Sequence, residues 1–364
     1  MTYQLLKSVQ QTSAEDFGAQ GGDPRRMVDG VHVDLSTCVN FYGPPEAVHE
    51  TLAAVTVSDL QIHPYDAAER MEDLYARCTR APAHEFVAGR GTTEFIWALS
   101  RSVPRCGVAV PLPAYTDYLK AFPGRGFARY AGEQCPSIEQ LDAALECHSL
   151  VIISNPHNPT GIALDPDALI AVAARHPLAT LVVDESYVDF VANPSHATVI
   201  GADVENLVVL RSPSKFYGIA GTRVGVAWSA DPDRLRDLLG QRETWPISGL
   251  DIMVAEAAMA SHEWADRSRL LLGRDGRWLA DELRRLPGTL IEAGVDVHFR
   301  CLFTEAAPEL ADVFAAHGVG VRVLSRAHGV YPDALRVLAP LPRQQNCVAA
   351  AVDEALCDAL AVAA

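Results

Sequence analysis

The sequence predicts an α/β protein in which a mostly parallel sheet covered by helices is followed by a smaller α+β domain. Two observations carry this expectation. Between about residues 46 and 244, short apolar runs of strand length alternate with helical stretches, which is the pattern of a parallel sheet with helical crossovers. Beyond Trp245-Pro246 the pattern changes to a long helical region, from about Asp251 to Leu286, and then to short strands. At 364 residues the chain is also long for one core, so two domains are expected.

Each element has its own signal. Residues 1 to about 45 are rich in Gly, Gln and Asp as far as Asp34, and Gly43-Pro44-Pro45 breaks the chain, so 1–45 reads as an N-terminal arm. The large domain is expected over 46–244, with strands at Gly107 to Val110, Leu150 to Ile153, Thr180 to Val183, Asn206 to Leu210 and Val224 to Trp228. The Leu150 and Thr180 runs suit strands buried on both faces. The small domain is expected over 245–364, with strands around Val295 to Phe303, Val319 to Val323 and Leu335 to Leu338. Internal repeats and low-complexity segments are absent from the sequence.

Composition excludes several functions. The chain carries 46 acidic and 30 basic residues, a formal net charge of −16, which argues against a nucleic-acid or anionic-membrane surface. Any phosphate must therefore be met by local cations. Met1 to Ser8 lacks the apolar core of a signal peptide, and no apolar run reaches membrane-spanning length. Cys38, Cys78, Cys106, Cys135, Cys147, Cys301, Cys347 and Cys357 form no C-x-x-C pair, so reduced thiols in the cytoplasm are expected and a zinc site is not.

Three segments carry chemistry. Lys215 is one of only three lysines, with Lys7 and Lys120, and it lies in Arg211-Ser212-Pro213-Ser214-Lys215-Phe216-Tyr217-Gly218-Ile219-Ala220-Gly221-Thr222-Arg223. Hydroxyls precede it and a glycine-flanked arginine follows eight residues on, a setting in which a lysine can hold an aldehyde cofactor as a Schiff base while the arginine meets a phosphate. Ser154-Asn155-Pro156-His157-Asn158-Pro159-Thr160-Gly161 and Asp184-Glu185-Ser186-Tyr187 each follow an apolar strand. Ligands sit at such carboxyl ends in parallel α/β sheets.

Taken in order, the motifs N-P-x-N-P-T-G, D-E-x-Y and S-x-S-K-x-x-x-x-x-G-x-R resemble those of the fold-type I aminotransferases that use pyridoxal 5′-phosphate (PLP). Within that superfamily the chain is similar to the histidinol-phosphate aminotransferase and threonine-phosphate decarboxylase branch, over about residues 20 to 340. The resemblance implies the PLP-dependent transferase fold type I and a PLP enzyme acting on an amino acid or a similar small molecule. Transamination is the leading expectation. Decarboxylation or β/γ-elimination and replacement in specialised biosynthesis is the alternative, and a PLP-binding sensor domain a minor one.

The resemblance also implies residue roles. Lys215 anchors the cofactor and shuttles the Cα proton, Asp184 partners the pyridine nitrogen, and Asn158 and Tyr187 hydrogen-bond the phenolic oxygen; Lys215, Asp184 and Tyr187 form the catalytic set. Gly91, Thr92 and Thr93, where a glycine-rich turn enters a helical stretch, make the phosphate cup with Ser212, Ser214 and Arg223. Tyr115 stacks on the pyridine ring. Arg336 grips the substrate carboxylate, Arg322 meets a distal anion, and Asn40 lies near the substrate. Taken alone, Arg322 reads equally as a surface charge, and Asn155 and Pro159 as loop formers.

A homodimer is implied as well, with His63 and Tyr65 reaching the neighbour's phosphate site. Some positions depart from the family pattern: Cys38 and Ser248 and His298 each stand where relatives carry Asn, Phe41 where they carry Pro, and His63 where they carry Tyr. Gln20-Gly21-Gly22 resembles a His-Gly-Gly of the decarboxylase branch with its histidine lost. The departures fall on the substrate side of the site.

Overall fold

The computed structural model describes residues 30–103, 107–127, 135–240, 244–292, 297–325, 330 and 332–363. Gln20-Gly21-Gly22 and Cys106 lie outside them. The first strand, β1, is Val33–Asp34. The next seven are β2 (Phe86–Gly89), β3 (Val108–Pro111), β4 (Gly126–Phe127), β5 (Leu150–Ser154), β6 (Thr180–Asp184), β7 (Leu207–Arg211) and β8 (Gly225–Trp228). These seven form one sheet in the order β2-β8-β7-β6-β5-β3-β4. Neighbours from β7 to β4 are parallel, and β8 pairs antiparallel with both β7 and β2.

Alternation along the central strands explains why both faces are covered. Val151, Ile153, Leu181, Val183, Leu207 and Val209 join one apolar cluster, whereas Leu150, Ile152, Val182, Val208 and Leu210 join another on the opposite face. Successive side chains of a strand point to opposite faces, so a strand apolar at every position needs a layer on each side. Helices such as Gly91–Ser102 and Ile138–Cys147 supply those layers.

The strand expectations hold in kind, with shifted ends. β5, β6 and β7 each run one residue past the apolar stretch to a polar residue, Ser154, Asp184 and Arg211, because the ladder continues beyond the hydrophobic pattern. β2 and the two-residue β4 carry too little apolar signal to stand out in the sequence. The long helical region is two helices, Gly249–Met259 and His262–Leu283. They part at Ser261, whose hydroxyl bonds back to the Ala257 carbonyl at 2.9 Å, a local bond that competes with helix continuation.

A second sheet follows: β9 (Thr289–Leu290), β10 (Phe299–Phe303), β12 (Arg322–Leu324) and β13 (Ala334–Leu338), all antiparallel in the order β12-β13-β10-β9. The run expected as a single strand at Val319 to Val323 divides. Its first part, β11 (Val319–Gly320), pairs instead with β1 in parallel. The Leu35 amide donates to the Gly320 carbonyl at 2.7 Å and the Leu35 carbonyl accepts from the Leu338 amide at 3.0 Å. Residues 30–40 are thus bound to the second sheet and cross toward the carboxyl ends of the first.

Candidate active site

Ser154 is the register partner of Asp184, and Asp184 of Leu210, so the carboxyl ends of β5, β6 and β7 are level. A cavity of about 420 Å³ lies there. Of the fourteen residues expected from the sequence, all but Asp184 and Asn40 line it. A larger cavity of about 890 Å³, lined by Asn155 and Pro156 among others, contains none of the fourteen.

Lys215 follows β7, with its Nζ 4.9 Å from the centre of the Tyr187 ring. Burial pushes its ammonium below the usual lysine range; Asp184 opposes that shift, while the charges of Arg223 and Arg336 add to it. The Lys215 carbonyl accepts from the Asn40 amide at 2.9 Å, and the Asn40 side chain donates to the Phe216 carbonyl at 2.9 Å. Asn40 therefore pins the crossing segment to the Lys215 loop, from outside the cavity. Gly218 makes the approach possible: its φ is +67°, and a Cβ there would meet the Gly43 carbonyl carbon at 2.9 Å.

Asp184 is buried and does not line the cavity. Its Oδ1 accepts from the Ser186 amide at 2.9 Å and the Ser186 hydroxyl at 2.6 Å, and its Oδ2 from the Tyr118 hydroxyl at 2.8 Å. Three donors from within the chain thus fix the orientation of this carboxyl group. Thr92 Oγ1 lies 3.3 Å from Ser186 Oγ, so one chain of hydroxyls joins this acid to the start of the helix Gly91–Ser102. Tyr118 and Ser186 were not among the residues singled out in the sequence. Tyr118 carries a faint signal, three residues after Tyr115 at the start of the helix Thr116–Ala121.

At the helix start, Gly91 has φ +72°, and a Cβ there would lie 3.2 Å from Arg223 Nη2. The glycine lets the guanidinium close on the first turn, where amide N–H groups lack intrahelical partners. Ser212 Oγ donates to the Val224 carbonyl at 2.7 Å and lies 2.8 Å from Ser214 Oγ. Tyr115 donates its hydroxyl to Asp117 at 3.1 Å and meets Tyr118 edge to face, with ring centres 5.4 Å apart.

Arg336, on β13, donates to Asn158 Oδ1 at 2.7 Å and to the Ser36 carbonyl at 2.8 Å. Asn158 in turn sends its amide nitrogen toward the Tyr187 hydroxyl at 3.5 Å. Arg322 is the register partner of Arg336 across the β12–β13 ladder. Burial, then the charge of Arg336, pulls Arg322 down to about 10. Arg322 is half-buried and lines the cavity.

The departures fall in distinct places. Cys38 is buried and lines the cavity. His298 is fully buried, stacked on Phe190 at 3.5 Å, and burial draws it down to about 3. Ser248 caps the helix Gly249–Met259 by accepting from the Asp251 amide at 3.1 Å. His63 stacks on Trp245 at 4.1 Å, and Tyr65 is 71% exposed. Asn155 bonds twice to Leu164, as a loop former does.

The family model for aminotransferase class I and II matches residues 32–355. The chain belongs to that family. It is 29% identical over 345 residues to a histidinol-phosphate aminotransferase of Symbiobacterium thermophilum, covering 90% of this chain and 92% of the relative. It is 34% identical over 283 residues to a threonine-phosphate decarboxylase of a Sinorhizobium species, covering 74% and 75%. Its fold matches the crystal structure of the histidinol-phosphate aminotransferase from Sinorhizobium meliloti in complex with PLP, with a TM-score of 0.79 at 19% identity, over 90% of this chain and 92% of that one.

This aminotransferase-family chain is therefore a PLP-dependent enzyme of fold type I. Its own residues fit the cofactor. A helix start with Arg223 and two serines lines the cavity together with a desolvated lysine, and a buried acid, Asp184, is linked to that helix start through Ser186 and Thr92.

Proposed function

We propose that this enzyme is an aminotransferase whose amino-acid-like donor or keto acceptor bears anionic groups at two positions. The observation that carries the reading is the pair Arg322 and Arg336, register partners that line the same cavity as Lys215. Bound in that cavity, PLP supplies an electron sink for the bond broken at the substrate Cα. Asp184 would face the ring nitrogen and favour its protonated form, and Gly91, Thr92, Thr93, Ser212, Ser214 and Arg223 would hold the phosphate. Tyr115 would cover one ring face, while Asn158 and Tyr187 would donate to the phenolic oxygen.

Lys215 moves the proton. Desolvation disfavours its ammonium form, so the free amine can take the Cα proton and later return it. Arg336 orients the substrate by its carboxylate and Arg322 reads the second anion; Asn40 sets the segment that borders the substrate. Decarboxylation is a second reading, favoured by the 34% identity to a threonine-phosphate decarboxylase, whose name implies a substrate with the same two kinds of anion.

A homodimer forms part of the proposal, with His63 and Tyr65 of one protomer beside the phosphate site of the other. It is supported by the exposed apolar stretch of Leu52, Val57, Leu60, Ile62 and Tyr65. The proposed division is an arm at 1–45, a large domain at 46–244 and a small one at 245–364, supported by the span of each sheet. A cytoplasmic location is proposed on the free thiols among the described cysteines. None of the helices among the described residues is long and apolar enough to cross a membrane.

The test is a panel of amino acids, phosphorylated ones included, incubated with the PLP-loaded protein. Pyridoxamine phosphate and a keto product mark transamination. Carbon dioxide release without pyridoxamine phosphate marks decarboxylation and overturns the leading reading.

A further inference from the structure

An ionised carboxylate only accepts hydrogen bonds, and its two oxygens offer about four lone-pair positions. In Asp184 three are filled from within the chain: two on Oδ1 by Ser186 and one on Oδ2 by the Tyr118 hydroxyl. The fourth position, on Oδ2, is left for an external N–H donor. Both oxygens are held, so the carboxyl group cannot swivel away from that donor.

We propose that Tyr118 is a positioning residue: its hydroxyl holds the Asp184 carboxyl group turned so that the remaining Oδ2 lone pair meets the ring nitrogen of the cofactor. This rests on the assignment of Asp184 to that nitrogen. Tyr118 suits the task because it is 1% exposed and its ring edge is fixed against Tyr115. Burial, then the charge of Asp184, pushes its phenol well above the usual range, so it stays a donor. Tyr118 also places one residue in contact with both the acid and the aromatic proposed to cover the ring. Aspartate and tyrosine lie 66 positions apart, and only the tertiary fold joins them.

The test uses the holoenzyme loaded with cofactor labelled with ¹⁵N at the ring nitrogen, read by NMR. Tyr118→Phe removes one of three donors, the acid becomes the better proton acceptor, and the shared proton moves toward it. The ring ¹⁵N resonance then moves toward that of unprotonated pyridine, and turnover falls roughly ten- to hundredfold with little change in KM. Asp184→Asn must move the resonance further in the same direction, and adding Tyr118→Phe to it must then change nothing more.

An unmoved resonance in Tyr118→Phe, beside a moved one in Asp184→Asn, overturns the role of Tyr118. A resonance that ignores Asp184→Asn overturns the underlying assignment instead. If Tyr118→Phe does not fold, 3-fluorotyrosine at this position keeps the shape and strengthens the donor. It must shift the resonance the opposite way, and no shift overturns the proposal.

Discussion

Arg322 and Arg336 face each other as register partners on β12 and β13, two guanidinium groups on one side of one sheet beside a single cavity. Like charges directly opposite in a ladder are destabilising, and an anion bound beside both would lower that cost. Arg336→Ala is expected to lower kcat/KM for every carboxylate substrate by about thirty- to several-thousand-fold, the cost of removing one partner of a buried charge pair. Arg322→Ala is expected to change selectivity among substrate side chains while leaving PLP affinity near native. Both variants go through one substrate panel, and equal losses for carboxylated and decarboxylated amines in Arg336→Ala would sink the carboxylate role.

Lys215 is the only lysine lining the cavity among the described residues. Lys215→Ala is expected to abolish the cofactor adduct trapped by borohydride and to lower turnover by at least 10²–10⁴-fold, the range for a lost general acid–base group. Peptide mass mapping is the readout, and label on Lys7 or Lys120 refutes the assignment.

Asp184→Asn is expected to leave the circular dichroism spectrum near native while turnover falls by roughly a hundredfold or more. Asparagine keeps the shape but not the charge opposite the ring nitrogen. Near-native turnover would show that the acid only caps the turn at Ser186.

Glu185 offers a pH test. It is fully buried, accepts from Thr198 at 2.6 Å and the Val199 amide at 2.8 Å, and lies 3.7 Å from Arg211. Burial raises its carboxyl from about 4.5 to about 7, against the pull of Arg211 and the two hydrogen bonds. The folded state thus keeps a proton that the unfolded chain releases near 4.5. Its contribution to stability is whole below about 4.5 and is lost as pH rises through about 7, by up to roughly 3 kcal/mol. Glu185→Gln should remove this dependence, and urea unfolding of both proteins at pH 5 and pH 8 reads it. A difference in stability that is constant with pH contradicts the prediction.

Sedimentation should give a dimer, and Tyr65→Ala should weaken PLP binding in that dimer. A fully active monomer would falsify the shared site.

Much of the site is legible in the chain. Asp184 ends, and the segment at Asn155 to Asn158 follows, a strand whose apolar run declares itself, and Lys215 and Arg223 sit in one short run with their serines. The helix start at Gly91 is equally local. Tyr118 is barely legible, because a tyrosine in a short helix looks like core until the fold brings Asp184 to its hydroxyl. Glu185 reads as a surface acid in isolation, yet it is sealed between Arg211 and Val199.

The sequence by itself determined the alternating α/β order, the polar strand ends and the family motifs, since these depend on residues near one another in the chain and on a period of two along each strand. Tertiary structure alone decided three things: the division of the Val319 to Val323 run between β1 and β13, the register that sets Arg322 opposite Arg336, and the bond of Arg336 to Asn158 across 178 positions. Register and long-range contact are properties of packing. A slip of one residue in β12 would turn Arg322 to the other face of its sheet without altering any local pattern.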